Sequence, residues 1–203
     1  RPISLEEFIR SHRERRFPPP RSVVITLDDG YEDNFLHAYP VLRRHGIPAT
    51  IFLVSDAVGR ENDWSTKGAL AGRPMMNWDQ AREMRSGRID FGAHSKTHPK
   101  LTELGADAAA AEIAGSGADI ERALGSPVSA FAYPYGLHDA TTRNLARDAG
   151  YAAGCTVDPG LNGLATPAWS LCRAEVWGTD SIVRLWLALW LGSPEALARR
   201  KRP

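Results

Sequence analysis

The sequence predicts an α/β protein built as an open or closed β/α barrel, and three observations lead there. Six short, near-continuously apolar runs alternate with longer amphipathic segments, the pattern of parallel strands covered on both faces and joined by helices. The helical segments end on the same signal, a glycine. The polar residues richest in chemistry stand directly after predicted strands, where a β/α barrel gathers its working loops.

The strands are placed at 22–27, 50–54, 89–93, 128–132, 152–157 and 172–176. Residues 1–20 read as an N-terminal extension that the Pro18 to Pro20 run delivers into the first strand. Between the strands, 34–45 reads as a helix closed by Gly46 with Pro48 beyond, and 78–86 as one capped by Asn77 and stopped by Gly87. Two more, 107–124 and 139–149, end at Gly125 and Gly150. No linker, internal repeat or low-complexity tract divides these units, so residues 1–203 are expected to form a single domain. The last part, 181–203, reads as a helix followed by the basic tail Arg199, Arg200, Lys201 and Arg202. That helix is apolar nearly all round, which predicts burial against the barrel. Its rival reading is peripheral contact with an anionic lipid surface through Trp186, Trp190 and the tail.

With 43% hydrophobic and 24% charged residues the chain has the composition of a soluble globular protein and excludes a disordered or fibrous one. Its formal charge of +1 provides no field to hold a polyanion, so nucleic acid is not expected as a partner. The longest apolar stretch, 182–191, is interrupted by Arg184 and falls short of the roughly 18 residues of a spanning helix. Cys155 and Cys172 could bridge each other but make neither a disulfide framework nor a thiolate metal site. Cellular location and oligomeric state are not assigned from these features.

Three segments carry chemistry. Asp28 and Asp29 follow the first strand, and because successive side chains diverge there, one can bind a cation while the other stays within reach of a water. His94 and His98 follow the third strand, four residues apart, a spacing that on one helical turn brings both imidazoles to one side. Two His with one Asp is a set typical of an open catalytic Zn²⁺ site. Phe131 to Gly136 closes the fourth strand with a stiff turn that can shape a cleft wall or aim a backbone N–H at an oxyanion.

Thr26-Leu27-Asp28-Asp29-Gly30, His94-Ser95-Lys96-Thr97-His98 and Phe131-Ala132-Tyr133-Pro134-Tyr135-Gly136, in this order and spacing, resemble the polysaccharide deacetylase family of the NodB homology type, carbohydrate esterase family 4. Leu27 stands where Phe is usual, and Trp78, Gly92, Pro99 and Leu101 sit where members commonly have them. The resemblance implies a distorted (β/α) barrel of about seven parallel strands, one N-terminal strand more than the six counted. It implies Asp28 as catalytic base and Asp29, His94 and His98 as ligands of one divalent metal ion, Zn²⁺ first, with Co²⁺ or another ion as alternatives. The Tyr135 N–H corresponds to the oxyanion donor, and Tyr133, Tyr135 and Trp64 are candidates to line the mouth against sugar rings.

Two departures stand out. Ala132 occupies the place of an arginine that orients the base in many members, and Arg173 is the best substitute. No His occurs after His138, so the acid that protonates the leaving amine is unassigned; His138 is a candidate for it, against its reading as a solvent-facing histidine at a helix start. The activity implied is removal of N-acetyl groups from an N-acetylated glycan or glycoconjugate. O-acetyl esterase activity on an acetylated polysaccharide is the nearest alternative, and a non-catalytic glycan-binding module on the same fold is the other.

Overall fold

The computed structural model describes residues 1–192 apart from Thr66 and Ala69. Five parallel strands, β1 (Thr26–Leu27), β2 (Ala49–Leu53), β3 (Ile89–Ala93), β4 (Ala130–Ala132) and β5 (Ala153–Cys155), lie side by side in chain order and curl into a half-barrel. Single-residue parallel bridges continue the sheet at both edges, Pro2 beside Val23 and Leu171 beside Cys155. Parallel neighbours require a crossover, and α2 (Tyr39–Arg44), α3 (Trp78–Ser86), α4 (Ala106–Leu124) and α5 (Ala140–Asp148) provide it.

Alternation along each strand sorts the core into two layers. Ile51, Leu53, Phe91, Phe131 and Tyr133 face the crossover helices, where they meet Leu42, Met84, Ile113, Ile120 and Ala146. Phe52, Ala130, Ala132, Ala153 and Cys155 face the concave side, which α1 (Leu5–Arg13) closes with Leu5 and Ile9, joined by Leu171. The i, i+4 spacing of Leu5 and Ile9 puts them on one face, and their burial contributes about 2 kcal/mol each. The Ser4 side chain caps α1 by accepting the Glu7 N–H at 3.0 Å. Residues 3–12 are thus part of the barrel's packing rather than a lead-in, while 13–17 are exposed.

Several expected elements change. The helix expected over 34–45 divides into a wide i→i+5 turn at Asn34–Ala38 and then α2. Pro40 is the cause, since it donates no N–H and its ring crowds the carbonyl four residues back. The strand expected over 22–27 shortens to β1, and the one expected over 172–176 is absent. The Cys172 N–H and carbonyl are both taken by the Asn162 side-chain amide at 2.8 Å, and the Arg173 N–H goes to the Asp158 carbonyl at 3.0 Å. Those groups are then no longer free to join a ladder. Cys155 and Cys172 are free thiols.

The burial expected of the C-terminal helix is also corrected. In α6 (Ile182–Leu191) only Ala188 is buried, while Ile182, Val183, Trp186, Leu189 and Trp190 are exposed. Just past the end of α6 the chain packs closely at Gly192, where a Cβ would meet the Gly160 carbonyl carbon at 2.4 Å. The Arg21 guanidinium lies 5.5 Å from the centre of the Trp190 ring. The basic cluster Arg199, Arg200, Lys201 and Arg202 lies outside the described residues. No helix among the described residues is long and apolar enough to cross a membrane.

Candidate active site

After β1 the chain turns sharply through Asp29 (φ 71°) and Gly30 (φ 85°). A Cβ on Gly30 would lie 2.5 Å from Leu53 Cδ2, so both the backbone angle and the close approach call for glycine. The turn sends the two carboxylates apart: Asp28 meets Arg173, and Asp29 meets His94 and His98.

Arg173 grips Asp28 with both arms of its guanidinium, Nη1 to Oδ1 at 2.6 Å and Nη2 to Oδ2 at 2.7 Å. Such a fork fixes the plane of a carboxylate as well as its charge. The fork is itself fixed, because Nε donates to the Thr156 carbonyl at 2.7 Å and Nη1 also donates to Thr26 Oγ1 at 3.2 Å. Burial alone would raise the Asp28 carboxyl, but the charge and hydrogen bonds of Arg173, with His94 and His98 nearby, hold it below its ordinary value of 3.8. Asp28 is therefore an oriented, ionised carboxylate.

The His94 Nε2 and His98 Nε2 atoms stand 3.3 Å and 3.4 Å from Asp29 Oδ1. One ligand atom from each of the three residues lies within 4.8 Å of the others. His94 Nδ1 donates to the Ala132 carbonyl at 2.7 Å, which fixes the ring with its Nε2 turned toward Asp29. Buried His98 Nδ1 has no hydrogen-bond partner. Burial and the neighbouring His94 push the His98 imidazole down to about 4, the neutral form a ligand must have. Burial would lower His94 as well, but its hydrogen bond to Asp29 and the charges of Asp28 and Asp29 raise it. One carboxylate and two imidazoles so disposed fit a divalent ion of the Zn²⁺ type with positions left open.

The segment between the two histidines is not the helical turn expected for it. Ser95 (φ 63°) and His98 (φ 60°) are both left-handed, and the segment is an irregular loop. His98 is flanked by two aromatic rings, Trp64 stacked at 4.8 Å and Tyr135 edge-on at 4.5 Å between centroids. Tyr135 is about half exposed at 48%, whereas Tyr133 is fully buried. The expectation that Tyr133 meets substrate is therefore corrected: strand alternation turns it into the helical layer beside Phe131, and its hydroxyl donates to the Trp169 carbonyl. His138 is not solvent-facing, for its ring nitrogens pair with Asp158 at 3.0 Å and Arg143 at 3.2 Å.

Some contributors were not anticipated. Tyr31, directly after the Asp-Asp-Gly turn, takes a hydrogen bond from Asn62 at 2.6 Å, and burial together with Asp29 pushes its hydroxyl up to about 12. Its position next to the motif was the available signal. The Ala132 and Thr156 carbonyls act through backbone atoms that any residue carries.

The model of the polysaccharide deacetylase family matches residues 15–154. The chain is 26% identical over 165 residues to the poly-β-1,6-N-acetyl-D-glucosamine N-deacetylase of Staphylococcus aureus, covering 77% of this chain and 54% of that protein. Among solved structures it resembles IcaB from Ammonifex degensii, with a TM-score of 0.76 and 27% identity over 88% of this chain and 77% of that one. The Streptococcus pyogenes deacetylase PplD in complex with acetate shares the fold at a TM-score of 0.77 and 24% identity, over 99% of this chain and 79% of that one. The chain spans about half the length of the curated relatives it matches. With the matched span covering more than half of its residues, the chain belongs to the polysaccharide deacetylase family.

Proposed function

We propose that this chain is a metal-dependent hydrolase that removes N-acetyl groups from the sugars of an N-acetylated glycan or glycoconjugate. The observation that carries the reading is Asp28, clamped by Arg173, beside the cradle of Asp29, His94 and His98. A divalent ion held by that cradle, Zn²⁺ first and Co²⁺ or another ion next, supplies Lewis acidity to the amide carbonyl and to water. Asp28 takes the proton of the attacking water at a carboxylate oxygen while Arg173 keeps that oxygen in place. The Tyr135 N–H is the donor assigned to the oxyanion that forms. When the C–N bond breaks, the nitrogen needs a proton. His138 is engaged by Asp158 and Arg143, so Asp28 is the group left to return the one it took. The products are acetate and a free amine on the sugar. Tyr135 and Trp64, whose rings flank His98, supply the apolar surface for a sugar ring.

The test is acetate release from β-1,6- and β-1,4-linked N-acetylglucosamine oligomers and from acetylxylan, with metal added or chelated. Release from the N-acetylated oligomers that requires metal and Asp28 is the expected result. Release from acetylxylan alone would favour the esterase, and glycan binding without any release would favour a binding module.

The exposed apolar face of α6 supports a subsidiary reading, peripheral contact with an anionic lipid surface through Trp186, Trp190 and Arg21, with Arg199 to Arg202 following in the sequence. Salt-sensitive sedimentation with anionic but not neutral liposomes is expected, and absence of binding to both would remove it.

A further inference from the structure

The loop that carries His94 and His98 holds two residues in the left-handed region, Ser95 at φ 63° and His98 at φ 60°, and neither is a glycine. Such a backbone persists only where its surroundings fix it. The fixing contacts can be traced group by group. The His94 N–H donates to the Leu53 carbonyl at 2.9 Å, and the Ser95 and Lys96 carbonyls accept from the Ser55 and Asp56 N–H groups at 3.2 Å and 3.0 Å. The His98 N–H donates to Ser95 Oγ at 2.9 Å. The two remaining donors at the tip, the Lys96 and Thr97 N–H groups, both end on Oε2 of Glu112 at 2.8 Å and 2.9 Å, while Thr97 Oγ1 donates to Glu112 Oε1 at 2.8 Å.

Glu112 belongs to α4, and it does not act alone there. One turn on, Gly115 leaves open the space through which the Lys96 stem passes: a Cβ at Gly115 would lie 2.8 Å from Lys96 Cδ. A further turn on, Asp119 accepts from Lys96 Nζ, which also reaches Asp56 at 3.0 Å. Residues 112, 115 and 119 follow the i, i+3, i+7 spacing of one helix face. That face receives the tip of the loop with a carboxylate for its backbone, a gap for its lysine stem and a carboxylate for its ammonium.

We propose that this face of α4, through Glu112 above all and Lys96 with Asp119 second, is a positioning element that sets the separation and aim of His94 and His98 and thereby the affinity of the site for its metal ion. The inference rests on the metal reading of Asp29, His94 and His98. Neither Glu112 nor Lys96 is assigned to substrate or metal. They act through the backbone of the ligand loop, as outer-shell groups do when they orient a ligand.

The test measures Zn²⁺ and Co²⁺ affinity of the full chain by competition with a chromophoric chelator, together with the visible spectrum of the Co²⁺ form and the melting temperature of the metal-free protein. Glu112→Ala should weaken metal binding about 10- to 100-fold, the range for loss of an outer-shell partner, and should alter the Co²⁺ spectrum. Glu112→Gln keeps an oxygen for the two N–H groups and an amide nitrogen for Thr97, so it should restore most of the affinity. Lys96→Met should fall between them. A merely structural role would lower the melting temperature of the metal-free protein and leave affinity and spectrum unchanged. If Glu112→Ala does not fold, Lys96→Met and Glu112→Gln decide. Folded variants that all bind metal within twofold of the parent, with its spectrum, overturn the proposal. A parent that takes up no metal overturns the reading of the site and this proposal with it.

Discussion

Asp28 and Asp90 lie on the same concave face of the sheet, one just past the C-terminal end of β1 and the other near the N-terminal end of β3, and their surroundings push them in opposite directions. Thr26, Thr50 and Asp90 are register neighbours across β1, β2 and β3, so the two sites share one wall. At the mouth, burial would raise Asp28, but the Arg173 fork together with His94 and His98 outweighs it. At the floor, Asp90 lines a cavity of about 240 Å³ with Glu6, Arg85 and Thr50, whose buried hydroxyl has no partner. There burial and the Glu6 charge raise Asp90 above 3.8, and Arg85 opposes them only as the smallest influence. Arg85 spends an arm on the Leu124 carbonyl at 2.6 Å. The difference teaches that the strand and the face do not decide what a buried carboxylate becomes. A cation of matching geometry, itself held in place, decides it.

Substitutions at the two ends can break or sharpen this contrast. Asp28→Asn keeps the shape and removes the basic oxygen, so acetate release should fall about 100-fold or more with metal content unchanged. Full turnover in that variant would make the mouth carboxylate as dispensable as the one at the floor. His98→Ala should reduce bound metal, measured by elemental analysis, whereas Asp90→Asn should leave it at the parent level.

Arg173→Lys retains a charge but not the fork, and a loss of about tenfold in turnover is expected. The pH profile gives the sharper sign. On the proposed role of Asp28, activity in the parent should fall at low pH as its carboxylate takes up a proton, and with the fork gone the carboxyl is held down less, so the acidic limb should move to higher pH. An unmoved limb would show that Arg173 does not govern the base.

The smallest effect belongs to Asp90. Its value in the folded protein lies above that of the unfolded chain, so folding binds the proton more tightly. The stability this contributes is full below about 4 and is lost as pH rises through the folded value. Asp90→Asn removes that dependence, and its melting temperature should exceed the parent's by about 2 °C at neutral pH, with no gain at pH 3. A variant that melts below the parent at neutral pH would show that the floor carboxylate has a partner after all.

How far the site can be read from residues alone follows from where its chemistry resides. Asp28, Asp29, His94 and His98 stand in short contiguous motifs and act through their side chains, and the structure brings them to one mouth. Arg173 could be nominated because Ala132 left a role vacant. Glu112 was invisible, since a glutamate on an amphipathic helix has no feature that distinguishes it from a solvated one until the loop it holds is in place. The conformation of that loop was equally hidden, because left-handed angles at Ser95 and His98 go against the local preference of those residues. Tyr133 and Tyr135 were grouped together although the strand's period of two already placed Tyr133 with Phe131 in the helical layer. The strands were legible in number to within one, and the short ends were not, because side-chain amides such as that of Asn162 compete for the backbone.

The closure of the half-barrel by α1 has a consequence for the order in which the molecule assembles. Leu5 and Ile9 precede every strand of the sheet, yet their partners Ala153, Cys155 and Leu171 come far later in the sequence. A nine-residue helix is marginal without such partners, so α1 waits for them. Asp29, His94 and His98 all lie within the first half of the sequence, while Arg173 must cross 145 positions to reach Asp28. Contacts over such separations form late, because the loop they close must first be ordered. The cradle of Asp29, His94 and His98 can thus be complete before Arg173 reaches Asp28, so the two halves of the site close at different stages of the same fold.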